Sequence, residues 1–130
     1  MRPNLTLAMR PLILAALCCA PVLAGGQSQP LSKSMAECGG LMLAASQMMQ
    51  DPDRRDALAR MAEGWAVAGA EQARDEGQFY PDFFVETAFR AAFDDWRGRG
   101  RLVALTEEFE DWTAYCRSLA EARGLDLYHG

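Results

Sequence analysis

The sequence is poor in the side chains that do most catalysis near neutral pH. Its single histidine, His129, lies one residue from the end in a short tail, where a general base would be badly held. Gly-x-Ser-x-Gly, a phosphate-cradling glycine loop and His-Glu-x-x-His are all missing, which removes the common signatures of hydrolases, nucleotide binders and zinc proteases. No Cys-x-x-Cys pair occurs, so a thioredoxin-like site and covalently attached haem are both excluded. Lys33 is the only lysine; every other basic residue is arginine. No segment shows the strict alternation of a half-buried strand.

What is present is a chain of 130 residues, 50% hydrophobic and 24% charged, with net charge −5. That length and balance fit one small domain with a core, and exclude a disordered chain. An acidic balance also argues against a nucleic-acid partner.

Residues 1–24 are expected to be a cleaved signal peptide. Arg2 and Arg10 form a basic flank, Leu12 to Leu23 an apolar run broken by Pro21, and Val22-Leu23-Ala24 a small-residue cleavage site. The run is shorter than the ~20 residues of a membrane span. Leu17 before Cys18, followed at once by Cys19, does not fit a lipid-anchoring pattern. The expected product is periplasmic or secreted and has no stable membrane anchor; loss of Arg2 and Arg10 takes its charge from −5 to −7. Cys18 and Cys19 leave with that segment. Cys38 and Cys116 remain as an even pair in an oxidising compartment, and a single disulfide between them is expected.

The remaining chain divides into a polar leader (25–33), a helical domain (34–124) and a short C-terminal tail (125–130). Ser34 and Glu37 have the spacing of a capping box, which predicts a first helix from about Met35 to Gln50. Asp51-Pro52 opens a second helix that Gly77 ends, with a row of small residues at Ala62, Ala66, Gly69 and Ala73 suited to close helix packing. A third helix starts at Pro81 with Phe79 and Phe84 as a hydrophobic staple, and stops before Gly98. A fourth runs from Arg101 to Arg123 on a stripe of Leu102, Leu105, Phe109, Trp112, Cys116 and Leu119. Short connections predict a small antiparallel four-helix bundle, all-α, stapled by one disulfide.

Each constellation that might carry chemistry has a plainer explanation. Asp94, Asp95, Glu107, Glu108, Glu110 and Asp111 surround the third connection, but the wheel spreads the last four over the outer half of a helix near its N-terminus. Met35, Met42 and Met49 stand seven apart with Met48 beside them, a row that suits Cu(I) but more simply fills a core. Arg90, Arg97, Arg99 and Arg101 suit an anion, or the C-terminal end of the third helix. No catalytic, cofactor or metal residue is therefore assigned.

Leu43, Val67, Phe83 and Val103 fall off the apolar stripes, and Phe83 is the candidate partner contact. In length, compartment and single disulfide the chain is similar to small exported acid-stress chaperones, hydrolase inhibitors and immunity proteins, with no shared motif to transfer a residue role. The expected function is non-enzymatic binding of another protein. The alternatives are a module for a metal or small apolar ligand, and a hydrolase with an unrecognised carboxylate site.

Overall fold

The computed structural model describes residues 29–128. The expected signal peptide, residues 25–28 of the leader and His129 lie outside the described residues. Within them the chain is helical: α1 (Leu31–Met48), α2 (Pro52–Asp75), α3 (Pro81–Gly98), a 3-10 segment (Arg101–Leu105) and α4 (Glu107–Ala122).

α1 occupies the centre. Twelve of its 18 residues are buried, which its sequence permits because Lys33 and Glu37 are its only charged residues. Its most extensive contact is with α2, then with α3, whereas α4 meets it over a short stretch and shares no extended backbone contact with α3. Gly39 and Gly40 allow α3 to approach: a Cβ on Gly39 would fall 2.5 Å from the Phe89 ring, and one on Gly40 would strike the Phe89 carbonyl oxygen. The small-residue row of α2 meets α1 as expected, with Gly69 facing Ser32 and Met35. The core joins these helices around Trp65, Leu41 and the cystine.

Cys38 and Cys116 form the disulfide, with Cα atoms 5.7 Å apart, so that α4 is tied to the middle of α1. That separation is ordinary for a cystine.

α2 begins and ends as its sequence predicts. The Asp51 side chain accepts from the amides of Asp53 and Arg54, Pro52 takes the first turn, and Gly77 at φ +72° ends the helix while the Gln78 amide reaches the Ala73 carbonyl.

Other boundaries differ. α1 starts at Leu31, and Ser34 and Glu37 form no capping box; both accept from the Gln29 side-chain amide instead. The cap comes from Glu76 at the far end of α2, whose carboxylate accepts from the Ser32 amide at 3.0 Å and the Ser32 hydroxyl at 2.6 Å. A cap supplied from 44 residues away leaves no local signal.

The Phe79–Phe84 staple is not formed either: Tyr80 enters α3 at φ +50°, and Phe79 is left 90% exposed. The fourth helix is split. Thr106 adopts extended backbone and caps α4 through the Phe109 amide, which turns Val103 into the core and leaves Leu102 77% and Leu105 83% exposed. Gly124 stops α4 as expected, but Leu125, Leu127 and Tyr128 pack back on the core, with Leu127 over Gly64.

Candidate functional site

The arginines around the end of α3, whose charge would suit an anion, are already engaged. Arg99 bonds Glu108 and Asp95 at 2.7 Å each and lies over the Trp96 ring, and these hydrogen bonds, Glu108 first, raise its guanidinium above the ordinary value. Arg90 pairs with Glu86, Arg97 lies over Phe93, and Arg101 reaches the Met48 carbonyl. Arg99 and Arg101 tie the end of α3 and the turn after it to α4 and α1, while the contacts of Arg90 and Arg97 lie within α3.

Asp94, Asp95, Glu107, Glu108, Glu110 and Asp111 are all exposed, and no group of three or more His, Cys, Asp or Glu gathers as a metal set among the described residues. Met35 and Met42 are buried in the core, while Met48 packs against it and Met49 is half-buried.

Of the four residues off the apolar stripes, two turn inward. Val103 is buried and Leu43 packs against the core, the first because the fourth helix is split and the second because α1 is covered on more than one face. Val67 and Phe83 remain outside, at 60% and 70% exposure.

Phe83 has company. Phe79 and Tyr80, the latter 80% exposed, end the link between α2 and α3, and Phe83 follows them in the first turn of α3. Three aromatic side chains left largely in water within one corner are unusual, because each forgoes a large apolar burial. The backbone there is also strained, since a positive φ at an aromatic residue is disfavoured and is retained where something else requires the turn.

A groove of about 430 Å³ lies between α2 and α3. Ala66, Ala70, Val85 and Phe89 form its floor and Val67 its wall. Alanine on successive turns keeps the floor low, so the groove follows from the same small-residue character that lets α2 pack closely. Its rim carries Glu71, Glu86 and the Arg74–Asp82 ion pair, whose 2.7 Å contact crosses from α2 to the start of α3. Phe83 is the sequence neighbour of the rim residue Asp82, although the three exposed rings do not themselves line the groove.

A second hollow, about 390 Å³, lies beside the C-terminal turn, between Met61, Arg117, Glu121 and Tyr128. Beneath it the Trp65 indole N–H and the Tyr128 hydroxyl are buried without a hydrogen-bond partner among the described residues. Burial raises the Tyr128 phenol above its ordinary value, while the nearby Trp65 N–H and the Arg117 charge act in the opposite direction. Neither atom offers a nucleophile at neutral pH.

Sequence reasoning singled out Phe83 but missed Phe79, which it assigned to a staple, and Tyr80. The signal that would have found them is the Phe-Tyr-Pro-Asp-Phe cluster directly after a helix stop. Comparison with protein-family models, with curated proteins and with solved structures gives no match.

Proposed function

We propose that the chain is an exported, non-enzymatic protein that binds another protein through the aromatic corner of Phe79, Tyr80 and Phe83 and the groove beside it. The observation that carries this reading is the exposure of those three rings together. Buried aromatic anchors dominate protein interfaces, and a corner of this kind becomes favourable only when a partner covers it. Export, to the periplasm or the medium, is supported by the basic flank and apolar run of residues 1–24 and by a cystine, which persists in oxidising compartments. An antiparallel order of the helices is supported by their short connections. Among the described residues no helix is long and apolar enough to cross a membrane.

Phe83→Asp tests the reading. Crosslinking in the native compartment captures the partner with the parent chain, and capture falls about tenfold or more with the variant, the loss typical of one interface hot spot. Helicity and melting temperature stay unchanged, because Phe83 is exposed. Undiminished capture would remove the corner as the contact. N-terminal sequencing of the exported chain checks cleavage near Ala24.

A further inference from the structure

The groove between α2 and α3 runs through an acidic surface, and we propose that it receives a cationic amphipathic segment of a partner protein, apolar side chains on the floor and lysine or arginine toward the rim. The proposal rests on the reading of this face as the docking surface and names the chemistry of what docks. The groove itself is lined by three carboxylates, Glu71, Asp82 and Glu86, all exposed, against one guanidinium, Arg74, with Arg90 one turn beyond Glu86. Both guanidiniums are already answered, Arg74 by Asp82 and Arg90 by Glu86. Glu71 on the rim and Glu63, two turns earlier on the same face of α2, meet no basic side chain among the described residues.

An occupant seated on Ala66, Ala70 and Val67 necessarily covers part of Glu71 and Glu86. Glu86 keeps Arg90 as its partner, but a neutral occupant would strip water from Glu71 without compensation, whereas a cation replaces the lost water and steers the approach. The low alanine floor accepts the apolar ridge of a helix.

The test uses the purified, disulfide-bonded protein and two synthetic helical peptides of about 18 residues, both with leucine at helical spacing, one filled with lysine and the other with glutamate. The lysine peptide binds at least about tenfold more tightly than the glutamate peptide, and its affinity falls several-fold as salt rises from about 50 to 200 mM. Glu71→Arg with Glu86→Arg weakens it about tenfold, while Asp111→Arg with Glu121→Arg, the same charge reversal on α4, changes it less than about threefold. All four positions are exposed, so the variants fold.

Equal loss from the two pairs would mean a response to net charge alone and would overturn the groove. Equal binding of the two peptides would overturn the charge selection. Sedimentation showing a dimer that Glu86→Arg dissolves would assign the groove to a second copy of this chain and overturn a partner segment. If the lysine peptide fails to bind while Phe83→Asp still weakens capture of the native partner, the docking reading stands and the cationic chemistry falls.

Discussion

A methyl group added at Gly40 meets the backbone of α3, at the Phe89 carbonyl and the Phe93 amide nitrogen, and backbone in a packed helix has nowhere to go. Gly40→Ala is expected to cost about 3 kcal/mol, the upper part of the overpacking range, and to lower the denaturation midpoint accordingly. At Gly64 the obstacle is only the end of the Leu127 side chain, which can rotate away. Gly64→Ala is expected to fall within about 1 kcal/mol of the parent, since the gain in helix propensity offsets a small displacement.

Glu76 gives the second residue-scale prediction. Desolvation raises its carboxyl, but the hydrogen bonds from the Ser32 hydroxyl and amide, Gln72 and Leu31 outweigh it and hold the group below its ordinary value of 4.5. A carboxyl lowered in the folded state stabilises the fold in full above that ordinary value, and loses its contribution as pH falls through the lower folded value. Melting temperature is therefore expected to decline on acidification below about pH 4.5. Glu76→Gln flattens that part of the profile and lowers the plateau at neutral pH.

At the scale of an element, the break at Thr106 decides which leucines and valines matter. A continuous helix from Arg101 would have placed Leu102 and Leu105 in the core stripe and Val103 outside. Thr106 instead accepts the Phe109 amide and donates to the Val103 carbonyl, so the preceding turn tightens into a 3-10 segment and the pattern rotates. Val103→Ala is expected to destabilise by roughly 2 kcal/mol through loss of buried methyl groups. Leu102→Gln and Leu105→Gln should each stay within about 0.5 kcal/mol, because both side chains are already in water. Urea denaturation of the three variants separates the two arrangements.

For the molecule as a whole, the cystine does for α4 what side-by-side packing does for α2 and α3. α4 has limited backbone contact with the other helices and is held by Cys116 and by the packing of Phe109, Trp112 and Leu119. Closing a loop with sequence separation 78 is worth ~4 to 5 kcal/mol in the chain-entropy model, a large share of the ~5 to 15 kcal/mol of a small domain. Replacing both cysteines by alanine should lower stability by that order. It should also speed amide exchange in α4 before α1 and α2, since the sparsely packed element loses its tie first. Uniform acceleration across all helices would show instead that α4 is an integral part of one cooperative unit. Alkylation without reductant should label neither cysteine in the native protein.

Helical class, the approximate extent of α2 and α3, the stops at Gly77 and Gly124 and the Cys38–Cys116 pair were all legible in the sequence. The elements depend on residues near one another in the chain, namely apolar spacing, Asp-Pro at a start and glycine past an end, whereas the cystine was legible because only two thiols remain once residues 1–24 are set aside. Phe83 was legible from spacing too, as an apolar residue on a polar side of its helix. Tertiary structure alone decided that α1 lies at the centre with α2 and α3 about it, that Glu76 caps it, and that Val103 rather than Leu102 or Leu105 turns inward. It also decided that Phe79 stands in water and that a groove is left between α2 and α3. These outcomes depend on which helix reaches which neighbour, and a wheel drawn for one helix cannot say whether its flank is covered by another. The staple at Phe79 failed because a local pattern requires the chain to enter the helix from one direction, and Tyr80 at φ +50° brings it in from another.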